Sequence, residues 1–338
     1  MTDSAESIAE PLPVGSGAVR VPAQYAGMSY HRAPPPAEVE CALTRNWDGA
    51  AVAGHIAPGA ERYEWAALDA FARAAAGQRI IFTLGFAPDH LYRRAPRGNW
   101  PYPTCPRGNL VPDDLAGWAR LVTAIADRFR VRHGRTGILW ELWNEVDVPA
   151  MFSDDMARLG PYTRLTAQAI RAVDPQAIIL SPSYVQDDPN LANGSEFVLW
   201  ANAPDGAGGA AKHWVQGLAY HSYEGSGFRP ENLVRHWQNL QSGAALAGLS
   251  LPTYITESGY LSADPTQARD VGRDLLLHAA LGAQCYLGYS YDNGNSGLAG
   301  ITGEWNRLVR TVAGAVIDEC HIVHGQVHAT LGGRRIIL

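Results

Sequence analysis

Four times along the chain a helix-like run ends at a glycine and a short apolar segment follows within a few residues. The copies are A-R-A-A-A-G-Q-R-I-I-F-T-L-G around Gly77, D-R-F-R-V-R-H-G-R-T-G-I-L-W-E-L around Gly134, A-L-A-G-L-S-L-P-T-Y-I-T-E around Gly248 and H-A-A-L-G-A-Q-C-Y-L-G around Gly282. Glycine just past a helix end relieves the left-handed backbone required there, so each copy reads as helix, stop, strand. A chain punctuated this way must alternate helices and strands.

Extending that grammar predicts eight strands, near 24–30, 41–47, 80–85, 138–144, 177–181, 217–221, 253–257 and 284–291. Helical patterns lie between most of them, clearest at 64–76, 113–132, 161–173, 231–247 and 267–281. The strands are continuous apolar runs, as parallel strands covered on both faces should be. Eight such units fit a (β/α)8 TIM barrel over 21–316, within a chain of 338 residues. A doubly wound open sheet would carry a glycine-rich turn after its first strand, whereas this chain has H-R-A-P-P-P at 31–36. Residues 1–20 read as a flexible lead-in and 317–338 as a short C-terminal β appendage, two strands joined at Gly332-Gly333.

Composition narrows the partners. Apolar residues at 46 % with 18 % charged exclude disorder, and a formal charge of -6 argues against nucleic acid or an anionic membrane. Lys212 is the single lysine, which removes any phosphate-binding G-K-[ST] loop. Cys41, Cys105, Cys285 and Cys320 are scattered with no metal or disulfide spacing. In the tail, His324 and His328 would share a strand face with His321 on the other, so one ion is not expected to collect all three. No membrane span is expected, and residues 1–17 carry neither a basic nor an apolar leader pattern, which leaves the compartment open. Ten Trp and 14 Tyr against 7 Phe favour rings with a polar handle, suited to half-wet stacking surfaces such as a sugar cleft.

In a TIM barrel the reactive groups stand at the C-terminal ends of the strands. Here those ends supply His31, Arg45 to Asp48, Pro88, Asn144-Glu145, Ser183-Tyr184, His221 and Tyr223, Glu257, and Tyr291-Asp292. Glu145 and Glu257 matter most, because two carboxylates across a barrel mouth can flank a glycosidic bond. A metal hydrolase is disfavoured: no H-x-H ends a strand and no second carboxylate cluster is expected beside either Glu. The apolar flanks Trp143 and Val146 favour a neutral acid at Glu145. Loop aromatics Trp100, Tyr102, Phe152, Tyr184, Phe228 and Tyr260 are candidate further subsites, and Arg93, Arg94, Arg97 and Arg107 could meet an acidic polymer.

The run W-E-L-W-N-E at 140–145 resembles the strand-4 signature of clan A glycoside hydrolases, and Y-I-T-E-S-G at 254–259 resembles their nucleophile motif. With R-N-W-D at 45–48, Y-E-W-A-A-L-D at 63–69 and I-F-T-L-G-F-A-P at 81–88, the stretch 27–293 is similar to family 39 and related bacterial exopolysaccharide glycosidases. The resemblance implies a retaining glycoside hydrolase without metal or cofactor, acting as a monomer on a poly- or oligosaccharide. It assigns Glu145 as acid/base and Glu257 as nucleophile. It also implies Arg45 beside the nucleophile, Asn144 on the sugar 2-hydroxyl, His221 on the sugar and the Tyr223 hydroxyl on the nucleophile. Strand 8 departs from the clan's tryptophan platform: with G-Y-S-Y-D at 288–292, Tyr291 is the expected smaller replacement, and His31 completes the expected sugar contacts. A transglycosylase sharing these residues and a non-catalytic glycan-binding barrel are the alternatives.

Overall fold

The computed structural model describes residues 11–15, 17–31, 34–47, 51–60, 62–95, 107–185, 195–223, 229–259, 267–292 and 298–338. In chain order, β1 (Leu12–Pro13) and β2 (Val19–Arg20) precede β3 (Ala26–Met28), β4 (Leu43–Asn46), α1 (Ala53–Ile56), α2 (Ala66–Ala74) and β5 (Arg79–Thr83). Then come α3 (Leu115–Asp127), β6 (Leu139–Glu141), α4 (Leu159–Val173), β7 (Ile178–Leu180), β8 (Tyr184–Val185) and α5 (Ser195–Ala201). The last part holds β9 (Leu218–Tyr223), α6 (Pro230–Leu246), β10 (Thr253–Gly259), α7 (Gln267–Ala280), β11 (Tyr286–Gly288), α8 (Thr302–Val312), β12 (Val316–Val323), β13 (Gln326–Leu331) and β14 (Arg334–Ile337).

The parallel strands run β7-β6-β5-β4-β3-β11-β10-β9-β8. A parallel bridge from Leu180 of β7 to Gly217, directly before β9, closes that order into a barrel. Gly217 is required at this seam, because a Cβ there would lie 2.5 Å from the Tyr254 ring and 2.8 Å from Leu180. The four glycines that opened the sequence reading all have left-handed backbone: Gly77 (φ 81), Gly134 (φ 62), Gly248 (φ 72) and Gly282 (φ 88). One expected helix changes character. The segment 113–132 is α-helical only as α3, and its last turn, Arg128–Arg132, is a π-helix.

Strand alternation sorts the core into two layers. Leu43, Ile81, Leu139, Leu180, Ala219, Tyr254, Cys285 and Leu287 fill the barrel as a buried apolar floor drawn from β4 to β7 and β9 to β11. Neighbours of opposite parity, among them Phe82 and Trp140, pack outward against helix residues such as Phe129. One step above the floor, the inward positions become polar: Arg45, Thr83, Glu141 and His221 each lie two residues beyond a floor residue and are buried. A register shift in β10 between Ile255 and Glu257 lets Thr256 and Glu257 both serve this layer.

The ends of the chain differ from expectation. Instead of forming a loose lead-in, β1 and β2 pair antiparallel with β12. Residues 1–10 lie outside the described part. The appendage begins at Val316 and is a three-stranded meander rather than two strands, because His324 (φ 48) and Gly325 (φ 70) make an additional tight turn. His324 is therefore a turn residue, while His321 pairs directly across from His328. Ile317, Cys320, Ile322, Val327, Ala329 and Leu331 bury the meander's inner face with Leu275, Trp305 and Val309 of α7 and α8. Among the described residues, no helix is long and apolar enough to cross a membrane.

Candidate active site

Arg45, at the end of β4, organises the polar layer. Its Nε donates to Glu141 Oε2 at 2.7 Å, its Nη2 to Asn144 Oδ1 at 2.7 Å, and its Nη1 to Glu257 Oε1. Burial alone would lower the guanidinium pKa, but the charges of Glu141 and Glu257 hold it above its ordinary value. Glu141 also accepts from Thr83 Oγ1 and Thr256 Oγ1, each at 2.6 Å. Burial would raise its carboxyl, yet the Arg45 charge, with help from His221 and Thr256, holds it at about 2.

Glu257 is held at both oxygens. Arg45 donates to one and the Tyr223 hydroxyl donates to the other at 2.7 Å. Burial pushes the Glu257 carboxyl up, while the cationic His221 and Arg45 oppose that rise. Tyr223 lies well above its ordinary pKa through burial and the adjacent Glu257 charge, so it remains the donor.

The acid candidate stands opposite. Glu145 Oε1 lies 2.8 Å from His221 Nδ1, the same nitrogen is 3.5 Å from Glu257 Oε2, and His221 Nε2 is 3.7 Å from Glu141 Oε1. Burial alone would lower the imidazole pKa, but Glu257, Glu141 and Glu145 raise it to about 9. Near Glu145, burial pushes Asp147 up to about 7, and both of its carboxylate oxygens face the Val185 N–H.

Glu145, Glu257, Arg45, Asn144, His221 and Tyr223 thus meet at one site. His221 does so differently from the expectation of a sugar contact: its ring is fully buried and faces carboxylates. Trp143 does not cover Glu145, because its ring packs outward on Phe152 and Tyr162. Tyr291 is displaced from the expected platform and packs against the cluster containing Leu298 and Trp305. Tyr289 lies nearer the polar layer, with its ring 6.5 Å from Tyr223 and edge-on to His31 at 5.2 Å. His31 stands on that rim, its N–H bound to Asp292 Oδ1 at 2.8 Å.

Glu141 is the residue missed by looking only at strand ends. Its signal was present in W-E-L-W-N-E, where inward Leu139 places Glu141 on the same face two residues later. Other expectations are corrected by packing. Phe152 is buried edge-on against Trp143 and Tyr184 against Phe197, so neither is a loop subsite. Arg94 is clamped by Asp113 and Asp154, and Arg107 by Asp89. Asp48, Arg97, Trp100, Tyr102, Cys105, Phe228 and Tyr260 lie outside the described residues.

Glu145, His221 and Glu257 each offer one ligand atom within 4.8 Å of the others, which is the spacing of a metal-binding trio. Charge disfavours that use. The surrounding carboxylates favour the protonated imidazole, whose proton an ion would have to displace, and Arg45 already pairs with Glu257.

No protein-family model matches the sequence, and no curated protein matches it. Solved structures do match in fold. A glucosidase from Croceicoccus marinus superposes with TM-score 0.67 at 15 % identity, covering 96 % of this chain and 74 % of that one. A family 39 glycoside hydrolase from Bacteroides cellulosilyticus WH2 gives TM-score 0.67 at 16 % identity over 94 % and 69 % of the two chains. A family 30 subfamily 8 xylanase from Clostridium acetobutylicum gives 0.61 at 14 % over 94 % and 82 %. The chain therefore has the barrel of these glycoside hydrolases, in keeping with the family 39 resemblance of its motifs.

Proposed function

We propose that this barrel is a retaining glycoside hydrolase acting on an oligo- or polysaccharide, with Glu257 as nucleophile and Glu145 as acid/base. The observation that carries the proposal is the pair itself: an oxygen of Glu145 and an oxygen of Glu257 lie within 4.8 Å of each other. So close an approach of the two carboxyl groups favours a retaining pair, whose groups stand about 5–5.5 Å apart and allow direct attack on the anomeric carbon. An inverting pair needs roughly 6.5–9.5 Å to admit a water.

The surroundings support separate roles. Arg45 and Tyr223 orient Glu257 as a double acceptor, the form a nucleophile requires. As the C–O bond to the leaving group breaks, Glu145 gives its proton to the departing oxygen and Glu257 forms the glycosyl ester. Glu145 then takes a proton from the water that cleaves the ester, and the stereochemistry is retained. Asn144 accepts from Arg45 with its carbonyl oxygen, which leaves its amide Nδ2 a buried donor without a partner among the described residues. A sugar hydroxyl is the partner that completes it, and the bond strengthens as positive charge develops on the ring. The names of the structural neighbours, a glucosidase and a xylanase among them, support a glycosidic bond as the target.

The test is trapping with 2-fluoro glycosides from a panel of sugars, followed by peptide mass analysis. A glycosyl adduct on Glu257, with turnover by Glu257→Gln below about a thousandth of wild type, is the expected result. An adduct on any other residue overturns the assignment.

A further inference from the structure

Glu145 has left-handed backbone, φ 50, a conformation it shares among the described non-glycine residues with Phe86 and His324. A side chain rarely stays there unless its surroundings hold it. The holding group is Ser183, in the short segment between β7 and β8. Its N–H donates to Trp143 O at 2.8 Å, its Oγ accepts from the Glu145 N–H at 3.0 Å, and its carbonyl accepts from the Val146 N–H at 3.2 Å. The Ser183 hydroxyl itself donates to Trp143 O at 3.3 Å. One buried serine therefore binds the backbone two residues before, at and one residue after Glu145.

The same segment is anchored on its other side. Val185 N–H is held by the Asp147 carboxylate at 3.0 and 3.1 Å, and Tyr184–Val185 pairs in parallel with Tyr220 and His221 of β9. His221 is the residue whose ring meets the Glu145 carboxyl. The segment thus ties the backbone of Glu145 to the strand that supplies its side-chain partner.

We infer that Ser183 is a positioning residue, a latch that keeps Glu145 in the left-handed conformation from which its carboxyl reaches the bond to be cleaved. The inference rests on the acid/base reading of Glu145. The Ser183 hydroxyl is engaged by the Glu145 N–H and Trp143 O, so it acts through Glu145 and not on substrate.

The test compares Ser183→Ala and Ser183→Thr with wild type and with Glu145→Ala, all as the full chain. By hydrogen exchange, the backbone around 143–148 in Ser183→Ala should exchange at least about ten-fold faster, while Ser183→Thr, which keeps the hydroxyl, stays within about two-fold. Aryl glycosides supply the second readout, because 2,4-dinitrophenolate departs without acid assistance and phenolate does not. Ser183→Ala should lose about thirty-fold in kcat/KM on phenyl glycosides and under about three-fold on the dinitrophenyl ones, the pattern expected of Glu145→Ala. Should Ser183→Ala fail to fold, Ser183→Cys, with its weak acceptor sulfur, carries the same comparison.

Unchanged exchange, or equal losses with both leaving groups, would overturn the latch. Inertness of the wild type toward every glycoside would overturn the glycosidase reading instead, and the exchange comparison would still decide whether Ser183 holds the Glu145 backbone.

Discussion

His221 Nδ1 lies 2.8 Å from Glu145 Oε1, inside a barrel where the imidazole has no exposed surface. A fully buried ring can keep its proton only if anions compensate, and Glu257 and Glu141 do so while the hydrogen bond to Glu145 adds to the effect, raising its pKa from 6.5 to about 9. Because the folded value lies above the unfolded one, the resulting stabilisation is complete below about pH 6.5 and disappears as pH rises through about 9. Thermal unfolding should therefore show the wild-type midpoint falling across that window. In His221→Gln the corresponding fall should be absent, and an unchanged profile would count against the charged imidazole.

The nucleophile candidate gives a prediction on the acid side. Burial raises Glu257 above 4.5, so activity requiring its carboxylate should fade at a pH higher than an ordinary glutamate would give. Tyr223 lowers that value by donating to the charged form. In Tyr223→Phe the acid limb of kcat/KM should move upward and the plateau should drop by about ten-fold or more, the scale of one lost hydrogen bond to a charged group. An acid limb at the same pH in both proteins would contradict the contact.

Glu141 touches neither oxygen of Glu257, yet both carboxylates share Arg45. Glu141→Gln would leave the buried guanidinium with one anion fewer, and losing one partner of a buried ion pair costs about 3–5 kcal/mol. Urea unfolding near neutral pH should register that loss. Since the Glu141 carboxyl is held at about 2 instead of 4.5, its contribution is present above about 4.5 and is lost as pH falls through about 2. The gap between wild type and variant should shrink accordingly on acidification.

Much of this arrangement was legible in local sequence. The helix-ending glycines have the backbone they imply, and the inward residues at the ends of β4, β9 and β10 supply Arg45, His221 and Glu257. What escaped depends on relations between strands. Glu141 precedes the end of the strand expected at 138–144 and acquires its meaning from Arg45, whose identity as its partner is fixed only when β4, β5 and β6 stand side by side. The role of His221 depends likewise on two carboxylates brought in from β6 and its end. The pairing of β1 and β2 with β12 joins opposite ends of the chain, a contact that a short apolar run such as Leu12–Pro13 cannot announce.

The exchange of Tyr291 for Tyr289 has a consequence for substrate binding. Both belong to G-Y-S-Y-D, with only Ser290 between them, so spacing could not distinguish a ring at the mouth from a ring in the wall. Tyr289 sits beside Tyr223 and His31, whereas Tyr291 joins the apolar cluster of Leu298 and Trp305. A sugar ring stacked on Tyr289 should lose affinity when the aromatic face is removed, so Tyr289→Ala should weaken ground-state binding by about ten-fold, equivalent to about 1.4 kcal/mol. Tyr291→Ala should leave KM nearly unchanged and instead lower stability by about 1–3 kcal/mol, because it opens space within a packed cluster. Steady-state kinetics and urea unfolding on the same two variants separate these effects, and the reverse pattern would return the platform to Tyr291.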